Sequence, residues 1–317
     1  MSLLASLFAA TLLAAPAPAP ARAAASVRAT ASAPVLASAV RRRCPIFPAN
    51  NPLNQEVAHA AADPNSAAYI ASIGAALHLH PDFGTNPAYG IPYTVVGPRQ
   101  PKVPITFTAY GSESNPGPYP IPPNAPVEGA GEAGDRHVLV LQEGACKLYE
   151  LYDAHRAARG WDAESGAIFN LRSNALRPEG WTSADAAGLP IFPLLARYSE
   201  VRAGRIDHAL RVTVPRTQAG YIHPATHYAS SSTDPSLPPM GLRLRLSARF
   251  DLAPFHGQAL VVLRALKRYG LIVADNGSSW YITGAPNPHW NDADLEQLAR
   301  VPGSAFEAVR SGPIRSV

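Results

Sequence analysis

The clearest chemical pattern in the sequence is a hairpin that carries an acid, an imidazole and a phenol. Two strand-like runs, 137–142 and 147–152, are separated by a short Gly-containing segment that is typical of a hairpin turn. In normal antiparallel register, alternating side chains place His137, Glu150 and Tyr152 on one face. These groups can transfer protons and orient a substrate, so the pattern predicts general acid–base catalysis.

Two roles are open for these hairpin residues. In the catalytic interpretation, His137 and Glu150 act as acid and base, and Tyr152 helps to position the substrate. In the structural interpretation, Glu150 and His137 pair with each other at the margin of a sheet and satisfy each other's hydrogen bonds. An open cleft around the pair favours catalysis, whereas burial favours the structural role.

A second pattern alternates metal-ligand types in the segment His78-Leu79-His80-Pro81-Asp82. On an extended segment His78, His80 and Asp82 share a face, and zinc is the first metal to consider for such a set. Pro81 interrupts the segment and no further ligand is clearly partnered with it. We therefore expect a loop with polar contacts and predict neither a metal nor another cofactor, with a metal-dependent enzyme as the alternative.

Three further residues have the chemistry of a polysaccharide lyase. Arg211 could neutralise the carboxylate of a uronate, while Tyr228 and His227 could abstract the C5 proton and protonate the leaving oxygen. The alternative is that His227 and Tyr228 are ordinary loop residues.

A loop around Trp181 is the best candidate for binding a sugar ring. Trp181 and Asp185 lie among small residues in Gly-Trp-Thr-Ser-Ala-Asp-Ala-Ala-Gly-Leu, and an exposed indole can stack on a sugar. A role for Trp181 in the core is the alternative. Trp161 and Trp280 adjoin predicted strands, and we expect them in the core.

The cleanest strand pattern runs from 242 to 250, as Leu-Arg-Leu-Arg-Leu-Ser-Ala-Arg-Phe. Its apolar positions face a core, and Arg243, Arg245 and Arg249 face the other way. Such a basic face would suit an anionic polymer, or it is simply solvated.

The segments 180–190, 204–210 and 265–282 resemble a group of exported bacterial proteins, largely without assigned function, that are associated with extracellular glycans. The resemblance covers most of residues 44–310. It implies a secreted carbohydrate-active protein and carries no catalytic residues that can be transferred to this chain.

Composition favours many short strands joined by turns, because the chain has 33 prolines and 23 glycines and is 47% hydrophobic. The fold class we predict is a mainly β protein, most simply a jelly-roll β-sandwich, with a few peripheral helices. Helical spacing of apolar residues predicts helices over 258–269 and 292–301.

The beginning of the chain predicts export. An apolar run followed by an A-x-A site predicts a signal peptide over residues 1–23, and an Ala/Pro-rich disordered tether follows over 24–43. A single β-sandwich domain is expected over 44–317. Cys44 and Cys146 are predicted to form a disulfide in a secreted or periplasmic protein, and free thiols are the alternative.

Several classes of function lose support. The formal net charge is only +4 and the arginines are dispersed, so a nucleic-acid partner is not expected. No other apolar stretch is long enough for a membrane span, so no membrane partner is expected after removal of the signal segment. Serine-hydrolase, nucleotide-binding and thermolysin-type motifs are also absent.

The leading hypothesis is a secreted, monomeric enzyme that cleaves an extracellular or cell-wall polysaccharide, as a glycoside hydrolase or a polysaccharide lyase. The competing hypothesis is a non-catalytic glycan-binding or surface protein that uses the same aromatic residues and needs no acid–base pair.

Overall fold

The computed structural model describes residues 44–131 and 134–316. The segments expected to form a signal peptide (1–23) and a tether (24–43) lie outside these described residues. The strands, in chain order, are β1 (His80–Asp82), β2 (Tyr93–Val96), β3 (Ile105–Phe107), β4 (Val138–Gln142), β5 (Lys147–Tyr152), β6 (His155–Arg156), β7 (Trp161–Ala163), β8 (Ser165–Asn170), β9 (Leu210–Val214), β10 (Arg243–Leu246), β11 (Leu271–Asn276), β12 (Tyr281–Thr283) and β13 (Phe306–Ala308).

These strands form three mixed sheets, and the protein is mainly β as predicted. The largest sheet has the order β1-β12-β9-β11-β10-β13, the second β2-β4-β5-β8 and the third β3-β7-β6. The jelly-roll sandwich is not confirmed. Four strand pairs, β1 with β12, β9 with β11, β2 with β4 and β3 with β7, are parallel, whereas a jelly roll is an antiparallel architecture.

The α-helices are few and short: α1 (Ser66–Ile73), α2 (Tyr198–Arg202), α3 (Gly257–Arg268) and α4 (Asp292–Glu296). The helix predicted over 258–269 is confirmed by α3, which buries Val262, Leu263 and Leu266. The helix predicted over 292–301 is divided into α4 and a 3-10 turn over Gln297–Arg300. Among the described residues, no helix is both long and apolar enough to cross a membrane.

The predicted hairpin and the predicted disulfide are both confirmed. β4 and β5 pair antiparallel with Leu139 opposite Glu150, which is the expected register. Cys146 at the hairpin turn forms a disulfide with Cys44, 102 residues away in the chain. The bridge joins the beginning of the described chain to the second sheet.

The strand predicted over 242–250 ends at Leu246, and Arg249 lies beyond it and is exposed. At the other two arginines the predicted basic face is neither solvated nor open to a polymer. Arg243 and Arg245 are both buried on β10. Arg243 donates hydrogen bonds to the carbonyls of Tyr269 and Pro52, and Arg245 donates to those of residues 57, 58 and 60. Residues 52–60 therefore cover this face, a long-range contact that strand periodicity does not indicate.

Candidate functional site

One face of the six-stranded sheet is polar over its first three strands, and this face is the foundation of the candidate site. Register places His80 opposite Tyr281, Asp82 opposite Thr283, and Tyr281 opposite Thr213. Because strand side chains alternate, Arg211 shares this face with Thr213. The intervening residues on the central strands, such as Val212 and Ile282, are fully buried on the opposite, apolar face.

A shift of register brings a carboxylate from the next strand onto the same polar face. β11 pairs with β9 through Val273 opposite Val212, and then through Asp275 opposite Thr213, so that Ala274 is an extra residue. Such a bulge changes which face the following side chain occupies. Asp275 thereby lies on the side of Arg211 instead of pointing toward the apolar layer.

Arg211 is the centre of the site, and its guanidinium is buried among polar partners. Its Nε and Nη2 donate to the two carboxylate oxygens of Asp185 at 3.1 and 3.0 Å, and its Nη1 donates to Thr283 Oγ1 at 2.8 Å. Asp275 Oδ2 lies 3.8 Å from Nη2. Burial alone would lower the pKa of Arg211, but the charge of Asp185 holds that pKa above its usual value, so Arg211 is a permanent cation.

The two aspartates beside Arg211 have different environments. The side chain of Asp185 is completely buried and bonded bidentately to Arg211, whereas that of Asp275 is 26% exposed and shares only the longer contact. Burial, followed by the nearby charge of Asp185, raises the pKa of Asp275 to about 7. Asp275 is therefore the carboxyl group that can hold a proton near neutral pH and also reach a ligand.

A second group faces the polar sheet from the chain that leads into β4. His137 is 2% exposed, and its Nδ1 lies 2.5 Å from Oε2 of Glu128 while its Nε2 lies 2.8 Å from the carbonyl of Ala184. Burial favours a neutral ring, but the charge of Glu128 outweighs it and raises the pKa of His137 to about 9. Burial likewise opposes ionisation of Glu128, but His137 lowers the pKa of that carboxyl below its usual value.

Tyr152 and Asp82 complete the polar surroundings of this region. The rings of Tyr152 and His137 lie 5.6 Å apart, and Tyr152 is partly exposed. Burial, then the charge of Asp135, raises the pKa of Tyr152 to about 12. Burial and then the charge of Glu128 raise the pKa of Asp82, which is also partly exposed. Groups from both sheets therefore share one electrostatic environment.

Glu150 is not among the partly exposed groups of this region. It is on the predicted face of the hairpin, but its exposure is 0% and its carboxylate accepts hydrogen bonds from the backbone N–H groups of Ile191 and Phe192. Burial raises its pKa to about 7. Because no substrate reaches it, we assign Glu150 a structural role, and its expected pairing with His137 is replaced by contacts of both residues with other partners.

The other predicted binding residues lie along the loop that carries Asp185. His227 Nδ1 bonds the carbonyl of Ala186 at 2.7 Å, and the ring of Tyr228 lies nearly parallel to that of His227 with centroids 6.1 Å apart. Trp181 is partly exposed, with the guanidinium of Arg177 5.6 Å from its ring. Trp161 and Trp280 are buried as expected.

The histidine-rich segment predicted as a possible metal site does not bring its three ligands together. His80 and Asp82 share the polar face of β1, but His78 lies outside the strand in an isolated bridge with Pro302. Within the described ranges, the group of metal-ligand types that does converge is Glu128, Asp135 and His137, whose ligand atoms lie within 4.8 Å of one another.

Sequence reasoning missed Asp275 and Glu128 as site residues. Asp275 stands in an Asp-Asn-Gly-Ser segment that reads as a turn, and Glu128 stands in a Pro- and Gly-rich stretch that reads as a loop. One signal was present for Asp275: it directly follows the apolar run Leu271–Ala274, so a charge was bound to lie at the end of a buried strand. Nothing local marked Glu128.

Comparisons with known proteins do not extend this description. No protein-family model, no curated protein and no solved structure matches the chain.

Proposed function

We propose that this protein is a secreted carbohydrate-active enzyme that hydrolyses glycosidic bonds in an extracellular polysaccharide, with Asp275 as the proton donor. The observation that carries the proposal is the partly exposed carboxyl of Asp275, which lies 3.8 Å from an arginine that is already paired with the buried Asp185. Burial and the charge of Asp185 raise the pKa of this carboxyl to about 7. A general acid works best when its pKa is near the working pH. Asp275 can thus protonate a leaving glycosidic oxygen under neutral conditions.

The partner carboxylate in this proposal is Asp82. It stands on the same polar face, on the other side of β12 and β9 from Asp275. Three strand spacings separate the main chains of β1 and β11, or about 14 Å. Because this main-chain separation is far greater than the roughly 5 Å between the carboxyl groups of a retaining pair, the proposal assigns Asp82 to the activation of a water molecule.

The charges of the site favour an uncharged polymer over a uronate. Arg211, the cation expected to neutralise a uronate, is buried and already bonded to Asp185 and Thr283. Carboxylates also outnumber cations around it, and an anionic sugar would be repelled. We therefore favour a glycoside hydrolase over a lyase. Tyr152, whose phenol stays protonated, can donate a hydrogen bond to a sugar hydroxyl. In this proposal His137 is not the catalytic acid or base but positions the carboxylate of Glu128.

Secretion is supported by the disulfide between Cys44 and Cys146, because such bonds persist in oxidising compartments. Trp181 and Tyr228 are both partly exposed, which supports their predicted contact with sugar rings. A monomeric state and a jelly-roll scaffold remain predictions, and the proposed chemistry requires neither.

The test is the Asp275→Asn variant assayed on a panel of neutral and acidic polysaccharides. We expect the wild type to release reducing ends from a neutral polymer, with activity falling as pH rises through about 7 because Asp275 loses its proton. Loss of the acid should reduce kcat by roughly 10²–10⁴-fold. The matched control is Asp162→Asn, which changes a partly exposed aspartate on β7 in another sheet and should keep full activity.

Full activity in Asp275→Asn, or activity on uronate polymers alone, would overturn this assignment. A glycan-binding protein is the second candidate, favoured by the partial exposure of Trp181 and Tyr228. The glycan-binding function predicts that the protein is retained on an insoluble polysaccharide without releasing reducing ends, and that Trp181→Ala abolishes this retention.

A further inference from the structure

We propose that Glu128, Asp135 and His137 form a binding site for one divalent transition-metal ion such as Zn²⁺ or Mn²⁺. One ligand atom from each residue lies within 4.8 Å of the others. The site departs from the expectation that this protein needs no metal, and it uses none of the residues in His78-Leu79-His80. It is independent of the proposed role of Asp275.

The orientation of the His137 ring supports the site independently of the two carboxylates. The carbonyl oxygen of Ala184 can only accept a hydrogen bond, so Nε2 of His137 carries the proton in the 2.8 Å contact. The lone pair of a neutral ring is then on Nδ1, which faces Glu128. Histidines that bind metals almost always donate their second N–H to a carbonyl or carboxylate in this way.

The balance of charge also suits a divalent cation. A neutral imidazole with ionised Glu128 and Asp135 carries a net charge of −2, which a divalent ion neutralises. Without a metal, the 2.5 Å approach of Nδ1 to Oε2 of Glu128 requires an additional proton between them. A metal ion would take the place of that proton. Because metal–ligand bonds of about 2.0–2.1 Å put neighbouring donor atoms roughly 3 Å apart, Nδ1 and Oε2 must separate by about half an ångström when the ion binds.

The ligand types indicate which metals fit. One imidazole nitrogen with two carboxylate oxygens suits zinc or manganese better than calcium or magnesium, which prefer sets made entirely of oxygen. Three protein ligands leave coordination positions for water or substrate, as in catalytic sites. Asp135 is exposed and Glu128 partly exposed, so an ion can enter from solvent.

The test uses untagged full-length protein that is stripped with a chelator and titrated with Zn²⁺, Mn²⁺ and Ca²⁺. Elemental analysis and calorimetry should give one Zn²⁺ or Mn²⁺ per chain, and saturation should raise Tm. Asp135→Asn should weaken binding by at least about tenfold, with little change in the Tm of the stripped protein because Asp135 is exposed. Glu128→Gln should also weaken binding, but it should lower the Tm of the stripped protein as well, because it removes the ion-pair partner of the buried His137. The control Glu296→Gln, which changes an exposed carboxylate on α4, should bind as the wild type does.

Absence of stoichiometric binding and of any rise in Tm would overturn the site, as would equal affinity in Asp135→Asn. Loss of binding in His80→Gln with full binding in Asp135→Asn would place the metal at the histidine-rich segment instead. Asp275→Asn keeps all three ligands, so it should bind metal normally even if it is inactive. Failure of the metal site is thereby distinguished from failure of the proposed hydrolase.

Discussion

The positive charges of two buried arginines on the same sheet are stabilised in different ways. Arg243 on β10 donates to the backbone carbonyls of Tyr269 and Pro52, which are neutral acceptors. Arg211 on β9 is bonded by Asp185 and approached by Asp275, which together carry more negative charge than one arginine can neutralise. The first arrangement fastens one part of the chain to another. The second leaves a carboxyl group that exchanges a proton near neutral pH.

The difference shows why burial of a charge is by itself a poor sign of function. Burial lowers the pKa of Arg243, and the hydrogen-bond acceptors of its guanidinium are neutral carbonyls. At Arg211 the second carboxylate, that of Asp275, is partly exposed, so the raised pKa belongs to a group that solvent reaches. We therefore place chemistry at Arg211 and structural support at Arg243.

The largest effect on stability should come from replacing each arginine in turn with methionine, a residue of similar length. Arg211→Met leaves the completely buried Asp185 without its cation, which should lower the free energy of unfolding by about 3–5 kcal/mol. Arg243→Met leaves only neutral carbonyls without a donor and should cost about 1–3 kcal/mol. Urea denaturation measures both.

Adding Asp185→Asn to Arg211→Met should recover part of the loss, because the buried charge is removed together with its partner. The same second substitution added to Arg243→Met should recover nothing. Equal losses for the two arginines, or no recovery in the double variant, would contradict the distinction between them.

A smaller effect is expected in the pH dependence of stability. Folding raises the pKa of Asp275 from 3.8 to about 7, so the unfolded chain releases this proton first as pH rises. The stability that the protonated carboxyl contributes at low pH is therefore lost between about pH 4 and pH 7. Asp275→Asn removes this dependence. Between pH 4 and pH 8 the free energy of unfolding of the wild type should therefore fall by of order 1 kcal/mol more than that of the variant.

Denaturant titrations of both proteins at pH 4, 6 and 8 give that difference directly. A difference that does not change with pH would show that Asp275 has an ordinary pKa, and Arg211 would then be no more than a second structural arginine.

The smallest effect should follow Thr283→Val, which removes the hydroxyl that accepts a hydrogen bond from Arg211. The valine side chain has nearly the same shape, so the expected loss is about 1 kcal/mol, as for one buried hydrogen bond. Activity should fall less than in Asp275→Asn. A loss of stability as large as that of Arg211→Met would mean that Thr283, and not Asp185, holds the arginine in place.

The features that the sequence predicted well are those set by neighbours in the chain or by simple alternation. The register of β4 with β5 follows from strand period and turn length, and α3 follows from helical spacing between residues 257 and 268. The disulfide followed from two cysteines in a chain with an export-like beginning. Each of these depends on local geometry or on a very small number of possible pairings.

The accessible part of the site could not be predicted in the same way. The hairpin pattern correctly placed Glu150 on a face with His137, but which side chains remain exposed depends on what packs over that face. Residues 191 and 192 cover Glu150, and residues 52–60 cover Arg243 and Arg245. Such coverage comes from segments distant in the chain, so alternation within one strand carries no information about it.

The sequence by itself determined a mainly β chain, the hairpin register, the third helix and the cysteine pair. Only the tertiary structure decided which polar side chains meet. A single extra residue in β11 turns Asp275 toward Arg211, and the strand order β1-β12-β9-β11 brings Asp82 to the same face. The physical reason is that pairing between distant strands, and the burial that shifts a pKa, are properties of the packed chain and not of any segment of it.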